Sequence, residues 1–91
     1  MRTIEEYETA LVGFIGTEFL SPADRALLSP TTPLMESGIL DSLRIAVLLT
    51  HIRDHLGVHV PFERIDARGF ADISTIARLL ANAVPVAGGR A

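Results

Sequence analysis

Apolar residues recur at helical spacing in three separate stretches of the chain. In the first, Ile4, Tyr7, Leu11, Phe14, Ile15 and Phe19 project to one side, while Glu5, Glu8 and Glu18 lie off that stripe. Thr3 and Glu6 have the spacing of a capping box, so this helix is expected to start after Thr3. In the second, Ile45, Leu48, Leu49, Ile52 and Leu56 share a face of a helix spanning 42 to 56, with Asp41 as N-cap and Gly57 as terminator. In the third, Ile73, Ile76, Ala77 and Leu80 follow the N-cap candidate Asp72, and the helix should end near Ala83, before Pro85.

The connections carry their own signals. Ser21-Pro22-Ala23-Asp24 can cap and start a short helical turn, with Ala26-Leu27-Leu28 as its apolar side. Residues 29–40 cannot continue a helix, because Pro30 and Pro33 lack amide donors and push the residues before them toward extended geometry. Leu34, Met35, Ile39 and Leu40 give this long loop apolar pegs, and a long anchored loop in a small domain points to a function. Val58 and Val60 are pegs of a short extended link. Pro61 to Asp66 should form one or two helical turns that bury Phe62 and Ile65, and Phe70 precedes the last helix. Gly13 and Gly16 each weaken the first helix by about 1 kcal/mol relative to Ala, which tolerance or close packing must explain. No run is long enough for a sheet. The expectation is an all-α bundle of three main helices plus one or two short ones, with residues 1–84 as a single domain and 85–91 as a flexible tail.

The second helix is apolar on more than one side. Leu43, Ala46, Val47 and Thr50 fall roughly a third to a half turn from the core stripe, at ~100° per residue. Such a helix is either buried twice or offers its second stripe to a partner. The pattern alone leaves both possibilities open.

Composition narrows the chemistry. Hydrophobic residues make up 48% of the 91 and aromatic residues only 5%, which describes one modest aliphatic core. There is no cysteine, so disulfides, thiolate metal sites and cysteine nucleophiles are excluded. The net charge is −3 and the eight basic residues, all Arg, are scattered, so no nucleic-acid partner is expected. Glu5, Glu6 and Glu8 break any leader-like start, and nothing approaches a membrane-spanning length. A soluble, cytoplasmic monomer with no membrane association is expected.

Ser42 is the residue that needs a role. It opens the second helix at the mouth of the loop, after Gly38, which tolerates positive φ. The positive end of the helix and its unpaired amides would favour a phosphate ester there. The serine could be a nucleophile, a cap or an attachment point. A nucleophile needs a neighbouring base, but His51 lies nine residues along the same helix, about 13 Å at ~1.5 Å per residue. No G-x-S-x-G elbow and no Gly-rich phosphate loop is present. His51 and His55 have i,i+4 spacing but lack a convincing further ligand, so no metal site is expected. The residues support no catalysis within this chain.

Asp41-Ser42-Leu43, preceded by Gly38-Ile39-Leu40 and followed by an aliphatic helix, resembles the phosphopantetheine attachment motif of acyl and peptidyl carrier proteins. The likeness runs from Leu34 to Leu80, in the order loop, modified-serine helix, Gly-Val-x-Val-Pro link, short helix, Phe70 and final helix. The resemblance implies a right-handed carrier-protein bundle, of the four-helix kind, and a covalent 4′-phosphopantetheine on Ser42. The arm would hold an acyl or aminoacyl group as a thioester. It also implies three kinds of partner: a phosphopantetheinyl transferase, an acyl- or aminoacyl-loading ligase or adenylation enzyme, and a downstream synthase or transferase. Docking is expected through Asp41, Leu43, Arg44, Ala46 and Val47, with Arg44 read as a surface side chain.

One departure bears on the pathway. Fatty-acid members usually carry an acidic second helix, whereas here Arg44, Arg53, His51 and His55 stand against Asp54 alone. A discrete carrier of a nonribosomal-peptide or polyketide-type pathway is therefore expected ahead of a fatty-acid carrier. The alternative from another class is a helical interaction module in which Ser42 is only a helix-start residue.

Overall fold

The computed structural model describes residues 2–83, apart from the side chain of Phe62. Helix α1 spans Ile4–Phe19 and starts as its capping box requires: Glu6 N donates to Thr3 Oγ1 (3.1 Å) and Thr3 N donates to Glu6 Oε1 (2.7 Å). Tyr7, Leu11 and Ile15 are buried, and Ile4, Phe14 and Phe19 pack against the core from its edge. Gly16 is explained by packing. The Arg25 side chain crosses it, donating from Nε to Gly16 O at 3.0 Å, and a Cβ on Gly16 would meet Arg25 Cγ at 2.9 Å. Gly13 has open space instead and is simply tolerated.

Helix α2, Pro22–Arg25, is a single turn capped by Ser21, whose Oγ accepts from Asp24 N at 3.2 Å. The expected apolar side of this turn forms only in part. Leu28 packs on the core, but Leu27 is 80% exposed, because the helix stops at Arg25 and the following turn faces Leu27 outward. The loop of residues 29–40 is anchored as its apolar pegs suggest. Leu34 and Leu40 are buried, Met35 and Ile39 are half-buried, and Leu40 N donates to Leu34 O at 3.0 Å. Two backbone bonds fasten this loop to the start of the last helix: Leu34 N to Ala71 O and Ser74 N to Pro30 O, both 2.8 Å.

Helix α3, Ser42–His51, begins at Asp41, whose Oδ1 accepts from Arg44 N at 2.8 Å. The helical run extends to Leu56 as expected, but its last five residues, Ile52–Leu56, form a wider π turn. Gly57 ends it at φ 69°, donating to Ile52 O. Ile52 and Leu56 are both buried, so the wide turn keeps consecutive apolar positions on the core. Arg2 Nη1 donates to the otherwise orphaned Leu56 O at 3.1 Å.

Val58 and Val60 are buried, and the expected turn after Pro61 is a 3-10 turn of three residues, Phe62–Arg64. Ile65 is half-buried against the core; the expected burial of Phe62 lies outside the described side chains. Helix α4, Ile73–Ala81, is capped by Asp72 Oδ1, which accepts from Thr75 N at 2.7 Å. Its stripe of Ile73, Ile76, Ala77 and Leu80 is buried to the last residue, and α4 packs mainly on α1. The helix stops two residues short of Ala83, where the Asn82 side chain donates from Nδ2 to Arg78 O at 2.8 Å. The expected tail, 85–91, lies outside the described residues. The architecture is all-α, and Phe70, fully buried, sits in the core that α1, α3 and α4 share.

Candidate functional site

Three segments converge where α3 begins. The loop reaches it through Gly38, which adopts φ 82°, a left-handed conformation that side-chain-bearing residues rarely take. Gly38 N donates to Met35 O at 3.2 Å, so the glycine closes a turn. Leu40 then drops into the core and Asp41 swings outward to cap α3. This sequence of turn, peg and cap leaves Ser42 exposed on the first helical turn.

The electrostatics there favour an anionic ester. Asp41 satisfies one of the unpaired first-turn amides, at Arg44, and the first backbone bond within the helix runs from Ile45 N to Asp41 O (2.8 Å). The amides of Ser42 and Leu43 precede that bond and remain at the positive end of the helix dipole. The nearest histidine, His51, lies at the far end of α3 with its ring stacked on Phe14 at a centroid distance of 3.8 Å. It is committed to packing between α1 and α3. Burial holds the His51 imidazole below its usual value, and His55 pushes in the same direction, while Glu18 and Asp54 pull against them.

Among the described residues, none buries the second apolar stripe. Leu43 is 75% exposed and Val47 43% exposed, and Ala46 and Thr50 are exposed with them. Together with Ser42 they form one outward face, so the two possibilities left open by the pattern are separated by the tertiary structure.

Arg44 departs from the expectation of a free surface side chain. It is half-buried: Nη1 donates to Ile39 O at 3.0 Å, and its guanidinium carbon lies 5.3 Å from the centroid of the Phe19 ring. Sequence spacing gave no sign of this, since the bond joins a side chain on the helix to a loop carbonyl five residues back. Asp41 acts chiefly as the cap. Among the described residues no group of three His, Cys, Asp or Glu side chains could hold a metal ion. His51 and His55 stack on each other at 4.8 Å. No described helix is long and apolar enough to cross a membrane.

A cleft of about 870 Å³ lies elsewhere, lined by residues of the 3-10 turn, the loop after it and α4, such as Arg64, Arg68, Gly69 and Arg78. None of residues 38–47 lines it.

Residues 17–81 match the family model described as "Phosphopantetheine attachment site". None of the curated proteins matches the chain. Among solved structures, the chain is similar to one in a structure titled "Crystal structure of FAD-dependent dehydrogenase", at 39% identity and a TM-score of 0.61. The likeness covers 72% of this chain and 95% of the other, so the matched chain is the shorter of the two.

Proposed function

This chain belongs to the phosphopantetheine attachment-site family, whose members carry a covalent 4′-phosphopantetheine, and we propose that it bears that group on Ser42 as a discrete carrier of a specialised pathway. The observation that carries the assignment of Ser42 is its exposure on the first turn of α3, at the end of a loop whose turn, peg and cap leave that hydroxyl facing outward. The residues fit the group. A phosphodiester at this position meets the positive end of α3 and the amides of Ser42 and Leu43. The arm supplies a terminal thiol that holds an acyl or aminoacyl group as a thioester.

Esterification of Ser42 needs a separate transferase: the Asp41 carboxylate is engaged as the helix cap and His51 lies at the far end of α3, so the hydroxyl proton passes to a base of that enzyme as the pyrophosphate bond of coenzyme A breaks and adenosine 3′,5′-bisphosphate leaves. Once attached, tethering raises the effective concentration of cargo at each docked enzyme, so the catalysis can reside in the partners. The exposed Leu43, Ala46 and Val47 supply an apolar docking face beside the attachment point. Asp41, beside it, serves as the helix cap and as the polar edge of that face.

Three features support a specialised pathway over a fatty-acid one. Helix α3 and its π turn carry Arg44, Arg53, His51 and His55 against Asp54, which is paired with Arg53 at 3.2 Å. The docking face is aliphatic. The similar solved chain is too short to enclose both a flavin dinucleotide and a substrate pocket, which supports reading it as a carrier-sized component of a flavin-dehydrogenase structure. An FAD-dependent dehydrogenase acting on a carried aminoacyl or acyl thioester is accordingly the partner class we favour, after a loading ligase, with the aminoacyl version ahead of the polyketide-type one.

The test is incubation with a broad-specificity phosphopantetheinyl transferase and coenzyme A, followed by intact mass. One phosphopantetheine is expected on the wild-type chain and none on Ser42→Ala; addition that persists in the variant overturns the assignment. The exposed stripe by itself also fits an interaction module without cargo. That reading requires Ser42→Ala to leave pathway output intact while Val47→Asp abolishes it.

A further inference from the structure

The Arg44 side chain makes two contacts that neither helix formation nor core packing requires, beside the backbone bond to the Asp41 cap. From a single position, two residues after Ser42, Arg44 touches each of the three segments that meet at the serine. Its backbone N donates to the Asp41 cap at 2.8 Å, its Nη1 to Ile39 O at 3.0 Å, and its guanidinium lies over Phe19 at the end of α1. We propose that Arg44 is a positioning residue for arm attachment, fixing the loop that presents Ser42 through its clamp on the Ile39 carbonyl and the Phe19 ring. The proposal rests on Ser42 as the attachment point.

The loop needs such a clamp. Residues 36–38 are exposed, and Gly38 at φ 82° is a natural pivot. Beyond the pivot, Leu40 is held by burial and by its bond to Leu34 O, but Ile39 is only half-buried. Arg44 supplies the fixed hydrogen bond at that intermediate residue. Its platform is itself fixed: Phe19 meets Phe14 edge to face at 5.8 Å, and Phe14 stacks on His51. A planar guanidinium can lie on a ring and donate sideways at once, whereas an ammonium is a compact point charge. The side chain therefore acts through its geometry as well as its charge.

A loop that is loose before binding must be ordered when the transferase docks, and that cost appears in KM more than in kcat. For Arg44→Met, KM for the carrier in the transferase reaction should rise about 5–10-fold with kcat unchanged, the loss expected of one hydrogen bond of ordinary net strength at a partly exposed site. Amide hydrogen exchange at residues 38–40 of the apo protein should accelerate, while exchange in α4 stays as in the wild type. Arg44→Lys should recover only part of both effects. Phe19→Leu, which keeps the apolar contact and removes the ring, should shift both in the same direction by less.

Wild-type KM together with wild-type exchange in Arg44→Met overturns the proposal. So does an Arg44→Lys variant indistinguishable from wild type, which would reduce the residue to a charge. Acceleration spread evenly over α1, α3 and α4 would make Arg44 a general structural residue and also overturn it. If the wild-type chain gains no arm at all, the assignment of Ser42 fails first, and the mass measurement reports that separately from the exchange data.

Discussion

The two ends of α3 do different work in one continuous helix. At its start, Ser42, Leu43, Ala46 and Val47 are exposed, and the residues just ahead are held by a glycine turn, a cap and one arginine. Further on, Leu48, Ile52 and Leu56 are buried, His51 is stacked on Phe14, and the π turn is closed by Gly57 and by Arg2 on the Leu56 carbonyl. The first end exposes a hydroxyl and apolar side chains that the core does not use. The second provides the burial that keeps those groups in place. A carrier needs this division, because a face that partners read cannot also be consumed by the core.

Substitutions at the two ends should therefore separate function from stability. The largest effect is expected for Ser42→Ala, with complete loss of arm attachment by intact mass. Its thermal midpoint should stay close to wild type, because an exposed hydroxyl is removed and Asp41 still caps the helix. A variant that melts early would blur the comparison and show that the exposed end also carries stability.

Next come Ile52→Ala and Phe70→Ala, each removing a fully buried side chain. Each should lower the unfolding free energy by about 2–5 kcal/mol in urea melts. A loss below about 0.5 kcal/mol, the range of surface changes, would contradict their burial.

Val47→Asp should leave stability within about ±0.5 kcal/mol, since the site is exposed, and should weaken productive encounter with loading and downstream enzymes. The readout is the rate of thioester transfer from the arm-bearing protein to a partner. Unchanged transfer would remove the docking role of the stripe.

The smallest effect concerns pH. The folded His51 value lies below that of the unfolded chain, about 6.5, because of burial first and His55 second. Above that value the imidazole is neutral in both states and its contribution is fully present. As pH falls below it, the unfolded chain takes up the proton more readily and stability is lost. Thermal midpoints compared from about pH 7.5 to about pH 5.5 should fall more steeply for wild type than for His51→Phe, which keeps a ring against Phe14. Equal slopes would show that His51 is not held neutral.

Much of this arrangement could be read along the chain because its determinants are local. The capping box at Thr3, the caps at Asp41 and Asp72, the stop at Gly57 and the turn at Gly38 each depend on a few adjacent residues. The stripes of α1, α3 and α4 followed from periodicity, which reports burial whenever one face is clearly apolar. Periodicity failed where the answer lay in another segment. Leu27 was expected to join an apolar side, but α2 stops at Arg25 and leaves it exposed. The apolar run to Leu56 gave no hint that its last turn would widen to a π turn.

The amino-acid sequence by itself determined three helices, the anchored loop, the absence of cysteine chemistry and the serine at a helix start, because short-range caps, turns and 3.6-residue spacing encode them. Only the tertiary structure decided that the Leu43, Ala46 and Val47 stripe faces outward, that the loop is bonded to Ala71 and Ser74, and that Arg44 spans from Ile39 to Phe19. Those are relations between segments brought together by a shared core. No spacing within one helix can specify which neighbour covers a face or which carbonyl a long side chain will reach.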